Sequence, residues 1–139
     1  MDKLIVILEK GERSIQALIV AVTVIALVGM FLNHRVKMKA LDIEIQKTKQ
    51  ELALNNTLKV MIALESSGRH DGCWGDGGAA YGWLQFHKAT FYFYSKKYGL
   101  TGVDWQNKED QFRLAYMMVR DGYGREWTVY KRAKKLVEF

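Results

Sequence analysis

The sequence predicts a mainly α chain in three consecutive parts: an N-terminal transmembrane helix, a helical stalk, and a small α domain with a glycine-rich turn or short hairpin. Three observations carry this. Residues 14–32 contain no charged side chain. Residues 33–56 are rich in charge and lack Gly, Pro, Phe, Trp and Tyr. Of the 17 Phe, Trp and Tyr residues 16 lie in residues 56–139, with 10 of the 12 glycines. At 139 residues there is room for one folded domain and its extensions, and hardly for two full cores.

After a short N-terminal segment, 1–13, the run SIQALIVAVTVIALVGMFL has only Ser14, Gln16 and Thr23 as polar members. As a helix it extends roughly 28 Å at about 1.5 Å per residue, close to the roughly 30 Å of bilayer hydrocarbon. A helix is the one single segment that satisfies its own backbone in lipid. The run is longer than the usual signal-peptide apolar core, and no small-x-small cleavage site follows in GMFLNHRVKMK. Core helices usually keep a polar face. An uncleaved anchor through residues 14–32 is the reading these features favour.

The next segment, 33–56, repeats Met38, Leu41, Ile45, Thr48 and Leu52 at three- and four-residue spacing, as the apolar positions of a heptad do. It reads as a stalk of roughly 30 Å. Whether it joins a homo-oligomer or packs as a single amphipathic helix stays open.

The domain follows in residues 57–139. Leu58, Met61 and Ile62 mark a helix face that leads to Glu65. Five glycines between Gly72 and Gly82 predict turns or a hairpin. The stretch from Trp83 reads as a helix stopped by Gly99, with Lys96 and Lys97 in its last turn. Asn107 and Asp110 open another helix, buried along Phe112, Ala115, Tyr116 and Val119 and closed by Gly122. A short basic helix ends the chain.

Lys+Arg 21 against Asp+Glu 15 gives a net charge of +6, which suits anionic partners without choosing among cell-wall polymer, lipid headgroups and nucleic acid. The lone Cys73 excludes an internal disulfide, and it has no metal-ligand spacing with His70 or His87. With no nucleotide, flavin or metal motif, no cofactor is expected.

Chemistry concentrates in ALESSGRHDGCWGDGGAAYGWLQF. Glu65 closes an apolar helix turn and opens onto a polar loop, where burial raises a carboxyl pKa and suits a general acid. Trp74, Tyr81 and Trp83 offer flat faces for sugar rings. The order Glu65-Ser66, a glycine-rich loop, then Tyr81-Gly82-x-x-Gln85 resembles the lysozyme-like superfamily, in particular bacterial and phage lytic transglycosylases. Asn107, Asp110, Gln111 and Ala115 match a later helix of that family, so the resemblance covers roughly residues 57–130. Arg69-His70-Asp71 stands where the family has Asn-Pro, and Tyr123 lies in the nearest counterpart of its late Tyr-Asn loop.

The resemblance implies a lysozyme-like domain that cleaves the β-1,4 bond between N-acetylmuramic acid and N-acetylglucosamine in peptidoglycan. Glu65 is then the proton donor, and Ser66, Tyr81, Gly82, Trp83, Gln85 and Tyr123 are the implied substrate contacts. A transglycosylase needs no second carboxylate. A hydrolase needs one about 5–9.5 Å away, for which Asp76 is the first candidate and Asp71 the second, with a turn-forming role as the alternative for Asp76. The implied partners are glycan strands and, through residues 14–32, membrane lipid; nucleic acid is not expected. The same residues also fit a non-catalytic lysozyme-like structural or glycan-binding membrane protein. Peptidoglycan chemistry requires the domain on the wall side, or an internal membrane in a phage particle. The flanking charges oppose this: Lys3, Lys10 and Arg13 precede the span, and Arg35, Lys37, Lys39, Lys47 and Lys49 follow it.

Overall fold

The computed structural model describes residues 2–138, with side chains from Ser14 onward. The segment 1–13, and with it the charges before the span, therefore lies outside the described side chains. Among the described residues the chain is mainly helical, with four α-helices and three very short strands. It divides into two compact units, residues 1–47 and 48–139.

Helix α1 (Asp2–Ser66) is continuous through the apolar run 14–32, the charged segment 33–56 and the first turns of the following domain. No proline interrupts it. Its apolar section carries an 18-residue window of mean hydropathy 2.6, none of it buried, which is long and apolar enough to cross a membrane. Within that section the Thr23 hydroxyl donates back to the carbonyls of Ile19 (2.8 Å) and Val20 (2.9 Å), so the polar side chain satisfies itself on its own helix. The compact second unit begins at Thr48, nine residues before the expected boundary, because Leu54 already packs against the core that Leu58, Met61 and Ile62 enter.

Ser67 and Gly68 end α1 with left-handed backbone, φ 54° and 78°. The Gly68 amide reaches back to the Ile62 carbonyl (3.4 Å), closing the last turn. The glycine-rich stretch then forms an antiparallel three-stranded sheet: β1 (Trp74–Gly75), β2 (Ala80–Tyr81) and β3 (Phe86–His87). Trp74 pairs with Tyr81, and Tyr81 with Phe86.

Helix α2 (Lys88–Lys97) starts five residues later than the sequence suggests. Gln85 takes a left-handed φ of 48°, which no helix continues through, and Phe86 and His87 pair with β2. Its C-terminal end falls where Gly99 placed it. Phe91 and Tyr94 are buried while Tyr92 and Phe93 are exposed.

Helix α3 (Lys108–Arg120) begins at Asn107, whose side chain accepts the Asp110 amide (3.0 Å), and is followed by left-handed Gly122. Its buried residues are Gln111, Leu114, Ala115, Met118 and Val119; Ala115 and Val119 lie on the expected face, while Phe112 and Tyr116 are only partly buried and flank the core. A 3₁₀ turn (Tyr123–Glu126) leads to α4 (Tyr130–Val137), which buries Ala133 and exposes Lys131, Arg132, Lys134 and Lys135. The core joins the end of α1 to α3, with Leu84, Phe86, Phe91 and Trp127 closing it.

Candidate active site

Glu65 stands one residue before the end of α1, half-buried. Burial raises its carboxyl pKa above the ordinary value. Ser66 beside it is buried, and its hydroxyl donates to the Ile62 carbonyl (3.0 Å). That bond ties the serine into the helix end that fixes Glu65.

The turn between β2 and β3 is joined to this helix end. The Trp83 indole N–H donates to the Gly68 carbonyl (3.1 Å), just past α1. Tyr81, Gly82, Trp83 and Gln85 therefore belong to one element, held against the exit of the helix that carries Glu65. Tyr81 is buried, and its ring meets Trp74 at 4.7 Å and Trp105 at 5.7 Å between centroids. Trp74 keeps 51% of its surface open and offers the exposed aromatic face of this cluster.

Gly82 has a structural reason to be glycine. Its φ is +79°, and an added Cβ would lie 2.6 Å from the His70 ring and 2.8 Å from the Gln111 amide nitrogen. Gly82→Ala is expected to cost at least about 2 kcal/mol, from left-handed backbone strain and displacement of two buried side chains. Urea unfolding read by tryptophan fluorescence checks this, and wild-type stability in the variant would overturn it.

Gln85 braces the sheet from inside. Its amide nitrogen donates to the carbonyls of Gly82 (2.8 Å) and Cys73 (3.1 Å), and a Cβ on Gly75 would strike its carbonyl oxygen. The half-buried Cys73 thiol lies 3.5 Å from the same nitrogen.

Asp76 occupies the 3₁₀ turn between β1 and β2, and its carboxylate pairs with His87 Nε2 at 3.1 Å, both side chains being largely exposed. Tyr123 belongs to another cluster. Lys97 donates to its hydroxyl and lies 4.1 Å above its ring, and Tyr94 packs 5.2 Å away. In the same neighbourhood burial, with a hydrogen bond to Asp121, pushes the Tyr98 pKa up to about 12.

Two organising residues carried no assigned role in the sequence. His70 is buried; its Nδ1 accepts the Trp83 amide (3.0 Å) and its Nε2 contacts the Gln106 carbonyl (2.7 Å), which together call for the Nε2–H tautomer. Gln111, fully buried, donates to the carbonyls of Tyr81 (2.9 Å) and Trp105 (2.7 Å) and accepts the Leu84 amide (3.3 Å). The only local sequence signal for His70 was a polar residue set between two glycines, Gly68 and Gly72.

Among the described residues no group of three or more His, Cys, Asp or Glu side chains is placed to hold a metal ion. Among the described residues the arrangement offers a half-buried carboxyl with a raised pKa, three residues before Gly68, to which the aromatic turn is hydrogen-bonded. No family model, curated protein or solved structure matches the chain.

Proposed function

We propose that the chain is a membrane-anchored, lysozyme-like enzyme that cleaves the β-1,4 bond between N-acetylmuramic acid and N-acetylglucosamine in peptidoglycan. Glu65 is its general acid and base. The observation that carries the reading is the half-buried Glu65 at the end of α1, its proton held more tightly by burial. It stands in the motif order Glu-Ser, glycine-rich loop, Tyr-Gly-x-x-Gln.

Glu65 protonates the glycosidic oxygen as the bond to the sugar breaks. In the transglycosylase course the resulting carboxylate takes the proton of the muramoyl 6-hydroxyl, whose oxygen closes the 1,6-anhydro ring. This course needs one carboxyl group, and the Asp76 carboxylate is engaged with His87. The transglycosylase course is the one proposed because it asks for no second carboxylate. Trp74 supplies an exposed face for a sugar ring.

Zymography on cell wall tests the activity, with clearing expected for the wild type and none for Glu65→Gln. Mass spectrometry of the released fragments tests the course, anhydro-muramoyl ends being expected and reducing ends overturning it. A second reading, a lysozyme-like domain that holds glycan without cutting it, is favoured by Gln85, whose amide is committed inside the sheet. Glycan binding without clearing by the wild type would select it.

Residues 14–32 anchor the chain in the membrane, and the domain faces the wall or lies inside a phage particle. For a cell-bound chain, a Cys73→Ala, Thr101→Cys variant checks the orientation, because Thr101 is an exposed loop residue. An impermeant thiol reagent is expected to label it in wall-permeabilised cells with intact membranes. Labelling only after membrane lysis would put the domain on the cytoplasmic side and remove its access to peptidoglycan.

A further inference from the structure

We infer that residues 37–52 pair with the same residues of a second copy of this chain, as a parallel, in-register, two-stranded coiled coil. The parallel direction rests on the anchor reading, since two chains inserted in one orientation run the same way. The rest is carried by the helix surface itself.

Met38, Leu41, Ile45 and Leu52 lie on one face of α1 and remain 42–59% exposed in the single chain. They occupy the a and d positions of successive heptads, with Thr48 at the remaining d position. A second apolar row, Val36 and Ile43, lies on the opposite side, but it reaches Gln50 at the next heptad and has Lys39, Gln46 and Lys47 beside it. That row cannot continue a seam. The first one does.

The flanking charges set the register. In a parallel pair, each g position faces the e position five residues further along the partner. Lys37 then meets Asp42 of the other copy, and Glu44 meets Lys49. Both contacts attract, and symmetry repeats them on the other side. A stagger of one heptad brings Lys37 against Lys49 and Glu44 against Asp42, which repel, and leaves only Glu51 against Lys49 to attract. The charge order thus selects the unshifted pairing over its nearest competitor. A seam of about two heptads is marginal in dilute solution. Confinement of both anchors to one membrane raises the effective concentration of the second strand.

Oxidative cross-linking in native membranes tests this on the full chain carrying Cys73→Ala. A cysteine at the seam, Leu41→Cys, is expected to give a cross-linked dimer, and one on the outer face, Ile43→Cys, is not. Adding Lys37→Glu and Lys49→Glu makes both flanking contacts repulsive and is expected to abolish the Leu41→Cys cross-link. Further adding Asp42→Lys and Glu44→Lys swaps both pairs and is expected to restore it. Equal cross-linking at 41 and 43, its absence at 41 in membrane-bound chain, or no recovery in the swapped variant would each overturn the pairing. Failure of the wall-cleaving reading is seen separately, because wall clearing is read on the uncross-linked chain. A chain recovered in the soluble fraction would remove the anchor and, with it, the parallel direction.

Discussion

If Glu65 is the proposed general acid, Glu65→Gln is expected to lower turnover on peptidoglycan by roughly 10²–10⁴-fold, the range of a positioned general acid. The amide keeps the size of the side chain and can still form hydrogen bonds, but has no proton to give the leaving oxygen. Because burial raises the Glu65 pKa, wild-type activity should persist at pH values where an ordinary glutamate is already ionised. It should then fall as pH climbs through the raised value. The same shift acts on stability with a definite sign. A carboxyl group with a higher pKa in the folded than in the unfolded state favours folding most below its unfolded pKa. That contribution is lost as pH rises through the folded pKa. Glu65→Gln removes the dependence. Thermal melts are therefore expected to show the variant gaining stability relative to wild type on going from about pH 4 to neutral pH. Full activity in the variant would end the proton-donor assignment. A stability difference independent of pH would end the account of a carboxyl group destabilised by burial.

How much of this was legible depended on how far apart the interacting residues stand in the chain. The start of α3 was readable because its cap is local: the Asn107 side chain accepts an amide three residues on. The end of α2 was readable for the same reason, with Gly99 in the left-handed region directly after the helix. The start of α2 was not, because Trp83-Leu84-Gln85 is compatible with a helix until Gln85 turns left-handed and Phe86 pairs with Tyr81. The α3 face was legible in part: Ala115 and Val119 are buried as the periodicity predicts, but periodicity counts apolar side chains, and Gln111 is buried through bonds to partners as far as 30 residues away. In the candidate site, Glu65 and the Tyr81–Gln85 turn stood out as residue types in order. The clasp that joins them, Trp83 to Gly68 and Trp83 to His70, depends on three-dimensional closure that spacing does not encode.

Gln111→Leu is expected to destabilise the domain strongly. Leucine is close in volume, so the change tests the bonds more than the packing. It leaves the Tyr81 and Trp105 carbonyls and the Leu84 amide without the side chain that now pairs them. A buried polar group left unpaired costs about 1–3 kcal/mol, so three of them cost at least about 3 kcal/mol unless water enters. Against a total of about 5–15 kcal/mol for an ordinary domain, that is enough to populate the unfolded state. Gln111→Glu should not rescue it, because a carboxylate would face two carbonyl oxygens in a buried site. All four tryptophans, Trp74, Trp83, Trp105 and Trp127, lie in this domain, so fluorescence during urea unfolding of the full chain in detergent reports on it and not on the apolar N-terminal helix. The expected result is a lower midpoint with an unchanged denaturant slope. A loss of less than about 1 kcal/mol would mean the orphaned groups find other partners. In that case the Tyr81–Leu84 turn would be held chiefly by His70 and the Trp127 indole, which donates to the Leu84 carbonyl at 2.8 Å.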